Sequence, residues 1–242
     1  MKKTLIAATM CAALSAAQAT VFYNEPFSYP DGDLTTQSGG LWVAHSGIGV
    51  GPVQVTSGQA ILAQGVGSED VNRDTGSVMG VGDIWYAGFD VTVTGSAAAT
   101  TTYFAHFLQS SSIFGGRVFV TAPTSGGDFA FGLSGGSSSV HAVWATDGTY
   151  GTSYHLVVSY AYDTGDCNLW VDPTDPNLVG DTYISDTGFA GDTMYGFALR
   201  QSSGNTTEAI DNLVVYGVPE PGTLGLFVLG GLSLLGLKMR RS

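Results

Sequence analysis

The chain has 242 residues, eight Lys and Arg, twenty Asp and Glu, and a net charge of −12. Five of the eight basic residues lie at the two ends, so residues 20–217 hold only Arg73, Arg117 and Arg200 against nineteen acidic residues, a net −16. That balance excludes nucleic acid as a partner, because binding phosphate needs a basic face.

The first element is a leader. Lys2 and Lys3 precede an uncharged run from Leu5 to Ala17, and Ala17-Gln18-Ala19 is a small-x-small cleavage site. This is the pattern of a secretory signal peptide over residues 1–19, cut by signal peptidase before Thr20. Cys11 is not a lipidation site, since Met10 stands where a small residue is needed. Export permits disulfides, but after cleavage Cys167 is the one cysteine left, so no intramolecular bridge can form.

Residues 20–217 follow as one unit, long enough for a single all-β core. Gly, Ser and Thr are plentiful and helix-period patterns are nearly absent. In "IWYAGFDVTVT" (84–94), Trp85, Ala87, Phe89, Val91 and Val93 share one face and Asp90, Thr92 and Thr94 the other. "SYHLVVSYAYD" (153–163) groups Leu156, Val158, Tyr160 and Tyr162, and a short turn at "TGD" joins it to "CNLWVDP" as a hairpin. "AIDNLVVYG" alternates in the same way. Further strands are predicted at 53–55, 59–63, 101–109, 116–121, 128–133, 140–144 and 194–200. Short alternating strands between Gly, Asp and Ser turns predict an antiparallel β-sandwich.

"SYHLVVSYAYDTGDCNLWVDP" resembles the paired central strands of concanavalin-like or laminin-G-like jelly rolls. "NEPFSYPDGDLTTQSGGLW" and "EAIDNLVVYG" resemble the first and last strands of such domains. The resemblance implies an all-β jelly-roll sandwich and no single activity.

The chemistry of this segment is sparse. Its Glu residues are Glu25, Glu69 and Glu208, without the E-x-D-x-E spacing of hydrolases on this fold. Glu208 and Asp211, three apart on a strand, face opposite sides. Ser134 lies in "GLSGG" (132–136), but a catalytic G-x-S-x-G needs a helix next, and loop then strand follows. His45, His106, His141 and His155 show no zinc spacing. "DTGDCN" and "DPTDPN" both read D-x-x-D-x-N. Asp163, Asp166, Asn168, Asp172, Asp175 and Asn177 are therefore either turn residues or ligands of a structural calcium ion. Trp42, Trp85, Trp144, Trp170 and eleven Tyr serve as core or as sugar-stacking platforms, Trp42 being the most loop-like and Trp85 core. A site assembled from distant loops, such as Asp83, His106 and Tyr162, is beyond local pattern.

The last element, residues 218–242, has three parts. Pro219-Glu220-Pro221 is followed by an uncharged run at about 223–237 and a basic tip at 238–241 containing Lys238, Arg240 and Arg241. At ~1.5 Å per residue a helix over the run is about 22 Å long, short against a bilayer core of about 30 Å. The basic tip stays cytoplasmic by the positive-inside bias. The three parts in order resemble the PEP-CTERM sorting signal of Gram-negative bacteria. That resemblance implies a transmembrane intermediate in the inner membrane, recognition by the membrane protease exosortase, and delivery to the cell surface or extracellular matrix.

The expectation is an exported cell-envelope or extracellular-matrix protein, structural or adhesive or else exopolysaccharide-associated, without catalysis or cofactor. The alternative is a polysaccharide-active hydrolase or lyase on the same fold.

Overall fold

The computed structural model describes residues 19–219 other than 67 and 111. The leader and the tail helix at 223–237 lie outside the described residues. So do Ala17, Glu220, Pro221, Lys238, Arg240 and Arg241. Ala19 and Pro219 are the first and last described positions.

Sixteen strands and one short helix follow in chain order. The first part comprises β1 (Thr20–Glu25), β2 (Gly32–Asp33), α1 (Leu34–Gln37), β3 (Val43–Ser46), β4 (Gln54–Thr56), β5 (Gln59–Ala63) and β6 (Asp70–Asp74). The middle comprises β7 (Asp83–Gly95), β8 (Thr102–Leu108), β9 (Phe114–Thr121), β10 (Ala130–Ser134) and β11 (Ala142–Val143). Then come β12 (Ser153–Ala161), β13 (Asp166–Val171), β14 (Ile184–Thr187), β15 (Gly196–Leu199) and β16 (Thr206–Pro219).

These strands form two antiparallel sheets. One runs β14-β13-β12-β7-β16-β5-β4-β2, with β1 also on β16; the other runs β11-β10-β9-β8-β15-β6-β3. The predicted hairpin is β12–β13, with Tyr160 opposite Cys167. Its turn closes through Gly165, at φ 74, whose N–H donates to the Ala161 carbonyl at 2.9 Å.

The core lies between the sheets. Trp85, Ala87, Phe89, Val91 and Val93 of β7 all point into it, as their alternation predicts. Phe89 meets Phe104 edge-on with centroids 6.2 Å apart, and Phe197 at 6.0 Å. Each such large apolar side chain contributes about 1.5–3 kcal/mol by leaving water. Cys167 is buried and free; burial pushes its thiol up to about 12, which keeps it an inert packing group.

Strand β16 departs from simple alternation. Its register against β7 slips between Asp211 and Val214, and Asn212 sits at φ 51. Glu208 and Ile210 face inward before this bulge, Leu213 and Val215 after it. The extra residue flips the phase of the strand. After the bulge, Val214 and Tyr216 are left half-buried.

Trp42 lies in the bend before β3, as its loop-like setting predicts, but it is core and not a surface platform. It is 0% exposed, and its indole N–H donates to Glu25 Oε2 at 3.0 Å. Glu25 accepts three further bonds, from the Phe27 N–H at 2.8 Å, the Tyr29 hydroxyl at 2.7 Å and Arg73 Nη1 at 2.5 Å. One carboxylate thus ties β1 to β6 of the opposite sheet and to the segment entering β3.

Candidate functional site

The outer face of the nine-stranded sheet carries aromatic rings on β16, β7 and β13 and just before β14. Tyr86 of β7 stands opposite Tyr216 of β16, and their rings stack at 5.1 Å and 7°. Trp170 of β13 lies 6.4 Å from Tyr86 and 5.4 Å from Tyr183, which precedes β14. Register places Tyr86 opposite Tyr216 directly; through β12 it places Tyr86 in line with Asn168, so Trp170 stands two residues along β13 from that ladder. Tyr86 and Tyr216 are half-buried and Tyr183 is exposed. Trp170 is buried, and its indole N–H has no partner.

A groove of about 270 Å³ lies beside the rings. Gly88, His155 and Tyr216 form its floor; Pro173, Pro176 and Leu178 form its wall. His155 Nδ1 lies 2.7 Å from Asp90 Oδ1, and Asn212 Nδ2 donates to the other Asp90 oxygen at 2.8 Å. Asp172, at φ 49, accepts the His155 backbone N–H at 2.7 Å and fixes the start of the wall loop. The face therefore sets the exposed Tyr183 and the half-buried Tyr86–Tyr216 stack beside polar side chains, a mix of apolar and hydrogen-bonding surface that suits a sugar ring.

The two acidic runs do not converge. Asp163 and Asp166 lie at the entry to β13 and Asp172 and Asp175 beyond its exit, about 20 Å apart at 3.3 Å per residue. Asp163 accepts the Gly82 N–H at 3.1 Å, Asp166 the Thr187 hydroxyl at 3.0 Å, and Asp175 the Asn177 N–H at 2.7 Å. Asn168 reaches Ser159 Oγ at 3.5 Å. Asp181, outside both runs, accepts N–H bonds from Asp175 and Thr174 and the Thr174 hydroxyl, and those bonds hold its carboxyl below the ordinary value. Among the described residues no group of three or more His, Cys, Asp or Glu is placed to hold a metal ion.

Ser134 ends β10 buried, its Oγ accepting the Ser137 N–H at 3.0 Å, and β11 rather than a helix follows the loop. Asp83 and Tyr162 meet through a backbone bond at 3.0 Å. His106 belongs to β8 of the other sheet, among Phe114, Tyr103 and His45. Those three do not form one site.

Comparison with known proteins agrees with the architecture. The basic winged bean lectin with Tn-antigen matches with a TM-score of 0.50 at 12% identity, over 84% of this chain and 100% of its own. A Lotus tetragonolobus seed lectin matches at 0.51 and 13%, over 84% and 100%. The CBM2 module of the evolved Dit of Lactobacillus casei BL23 phage J-1 matches at 0.52 and 10%, over 85% and 98%. A sialidase matches at 0.50 and 15%, but the chain spans only 18% of that protein's length. At these identities the likeness shows the fold, a lectin-like jelly-roll sandwich, alone. No curated protein matches the chain in sequence. Among the described residues no helix is long and apolar enough to cross a membrane. The carboxyl end is identified on its own terms: residues 217–242 match the PEP-CTERM protein-sorting motif.

Proposed function

We propose that the protein is exported, sorted through its tail to the cell surface, and there binds polysaccharide without turning it over. The observation that carries the binding role is the aligned Tyr216, Tyr86, Trp170 and Tyr183 beside the groove. The lectin-like fold supports it, as does the state of the Glu residues. Glu25 is saturated by four donors, Glu208 is buried between Thr206 and Gln64, and Glu69 accepts the Gly49 N–H. None of these Glu residues stands in the groove; the carboxylate in its lining is Asp175, which accepts the Asn177 N–H.

The test is affinity electrophoresis in gels containing the host's exopolysaccharide. A Tyr86→Ala, Tyr216→Ala double variant is expected to lose roughly tenfold in retention, given about 0.5–1.5 kcal/mol for each aromatic contact. Unchanged retention would sink this face as the site. Product formation that vanishes on changing one carboxylate would replace binding with catalysis.

The sorting motif implies exosortase as partner, and removal of the tail near Pro219-Glu220-Pro221. The intact mass of the surface-exposed protein is expected to lack Lys238, Arg240 and Arg241. A mass that retains them identifies a plain membrane anchor instead.

A further inference from the structure

The three arginines of the domain are not used alike. Arg73 bonds Glu25, and Arg200 lies 3.8 Å from Asp70. Arg117 makes no ion pair among the described residues, although nineteen acidic residues surround it in sequence. It is 7% exposed, and among the described residues its buried Nε and Nη1 have no hydrogen-bond partner. A buried guanidinium with free donors is costly unless something pairs with it.

Arg117 lies on β9 between core-facing positions, since Val118 turns inward and Arg117 turns to the outer face of the seven-stranded sheet. Its guanidinium sits 5.1 Å from the Phe114 ring centre and 5.3 Å from that of Tyr103. It borders a cavity of about 420 Å³ shared with Ile113, Phe114, Gly136, Phe189 and Asp192. Phe189 is 67% exposed at this cavity. A Cβ on Gly136 would come within 3.1 Å of the Phe189 ring, so glycine there lets the ring lie close over the backbone. Behind Phe114, at 4.3 Å, His106 is 0% exposed with both ring nitrogens unpartnered, and His45 Nε2 is likewise unpartnered. Burial, then the charges of His45, Arg117 and Arg200, hold His106 well below its ordinary value and keep it neutral. Arg117 is thus the charged donor at this site, with Asp192 as the one carboxylate in the lining.

We infer that this cavity holds a single carboxylate-bearing sugar, its carboxylate on Arg117 and its ring face on Phe189. A planar guanidinium matches a planar carboxylate, and an exposed ring beside it suits a pyranose. The net −16 of the domain sets the kind of polymer. It repels a dense polyanion, whereas one desolvated contact escapes most of that field, which is screened over about 8 Å in physiological salt. The ligand is a mostly neutral polysaccharide with isolated uronate residues. This site does not rest on the aromatic face of the other sheet.

The probes are a xylo-oligosaccharide bearing one glucuronate branch and its neutral parent, titrated calorimetrically into the full chain in detergent micelles. The acidic oligomer is expected to bind at least tenfold tighter than the neutral one. Arg117→Gln is expected to erase that difference, Phe189→Ala to weaken the acidic oligomer about threefold or more, and Tyr86→Ala with Tyr216→Ala to leave the difference intact. Near-UV circular dichroism checks the fold of each variant. Should Arg117→Gln not fold, the exposed Phe189→Ala variant decides. Equal affinities, no binding of either oligomer, or full binding by a folded Arg117→Gln or Phe189→Ala variant would overturn the assignment.

Discussion

Replacing Glu25 with leucine is expected to lower the free energy of unfolding by about 3–5 kcal/mol, the usual cost of removing one partner from a buried ion pair. Four donors lose their acceptor at once: the Phe27 N–H, the Tyr29 hydroxyl, the Trp42 indole and Arg73. Arg73 cannot simply turn to water, because it lies 4.3 Å over the Tyr23 ring with its side chain only 17% exposed. Adding Arg73→Leu to Glu25→Leu is expected to recover part of the loss, since it removes the stranded charge. Denaturant titration of the three variants measures this. A Glu25→Leu protein within 1 kcal/mol of the parent would show that the network contributes little to joining the sheets.

Stability is expected to fall as pH rises from about 4 to 7. Burial raises Glu208 from 4.5 to about 7, against the lowering effect of hydrogen bonds from Thr206 and Gln64. Burial also raises Asp70 from 3.8 to about 6, opposed by Arg200. Well below 3.8 both carboxyls are protonated in folded and unfolded chains alike, and their titration costs nothing. Above pH 4.5 the unfolded chain releases the Glu208 proton while the folded chain keeps it, so each pH unit costs up to ~1.4 kcal/mol. The loss levels off above the folded values, at about 3 kcal/mol for Glu208. Gln64 Nε2 also donates to the Arg200 carbonyl, and its Oε1 accepts the Ser202 N–H, so it presents a donor to Glu208. The proton of Glu208 then belongs on Oε1, toward Thr206 Oγ1 at 2.6 Å. Glu208→Gln keeps both contacts, and is expected to be near neutral at pH 4.5 and stabilising by about 2 kcal/mol at pH 8. Thermal melts across this range decide, and a melting temperature higher at pH 8 than at pH 5 in the parent would contradict the assignment.

The parts of the fold legible in the sequence are those whose pattern is local. β7 and the β12–β13 hairpin carry apolar residues at every second position, and that face of each is core. β6 is not legible in the sequence because "DVNRD" is mostly polar. Its Asn72 bonds His45 and its Arg73 bonds Glu25, partners 27 and 48 residues away. Trp42 followed a Gly-rich turn and looked exposed for the same reason, since its acceptor lies 17 residues upstream. The bulge at Asn212 broke an alternation that the sequence shows as continuous. Tyr86, Tyr216, Trp170 and Tyr183 were visible as aromatics but not as an array, because register across four strands is a property of pairing and not of composition. The unpaired state of Arg117 was equally invisible. The scarcity of basic residues, which could be counted, was the one signal pointing to it.

The pairing of Thr20 with Gly217 has a mechanical consequence. β16 runs fourteen residues, with β7 along one side and β5 and β1 along the other. A tether pulling at Pro219 while a polysaccharide holds the outer face would draw along the axis of this inner strand. The ladder to β7, from Thr206 opposite Gly95 to Pro219 opposite Asp83, is then loaded in shear, with its hydrogen bonds strained together. A pull at Thr20, at the same end of the sheet, would load only the shorter β1–β16 ladder, from Thr20 opposite Gly217 to Glu25 opposite Leu213. Hung from its carboxyl end, the domain bears tension along its longest seam.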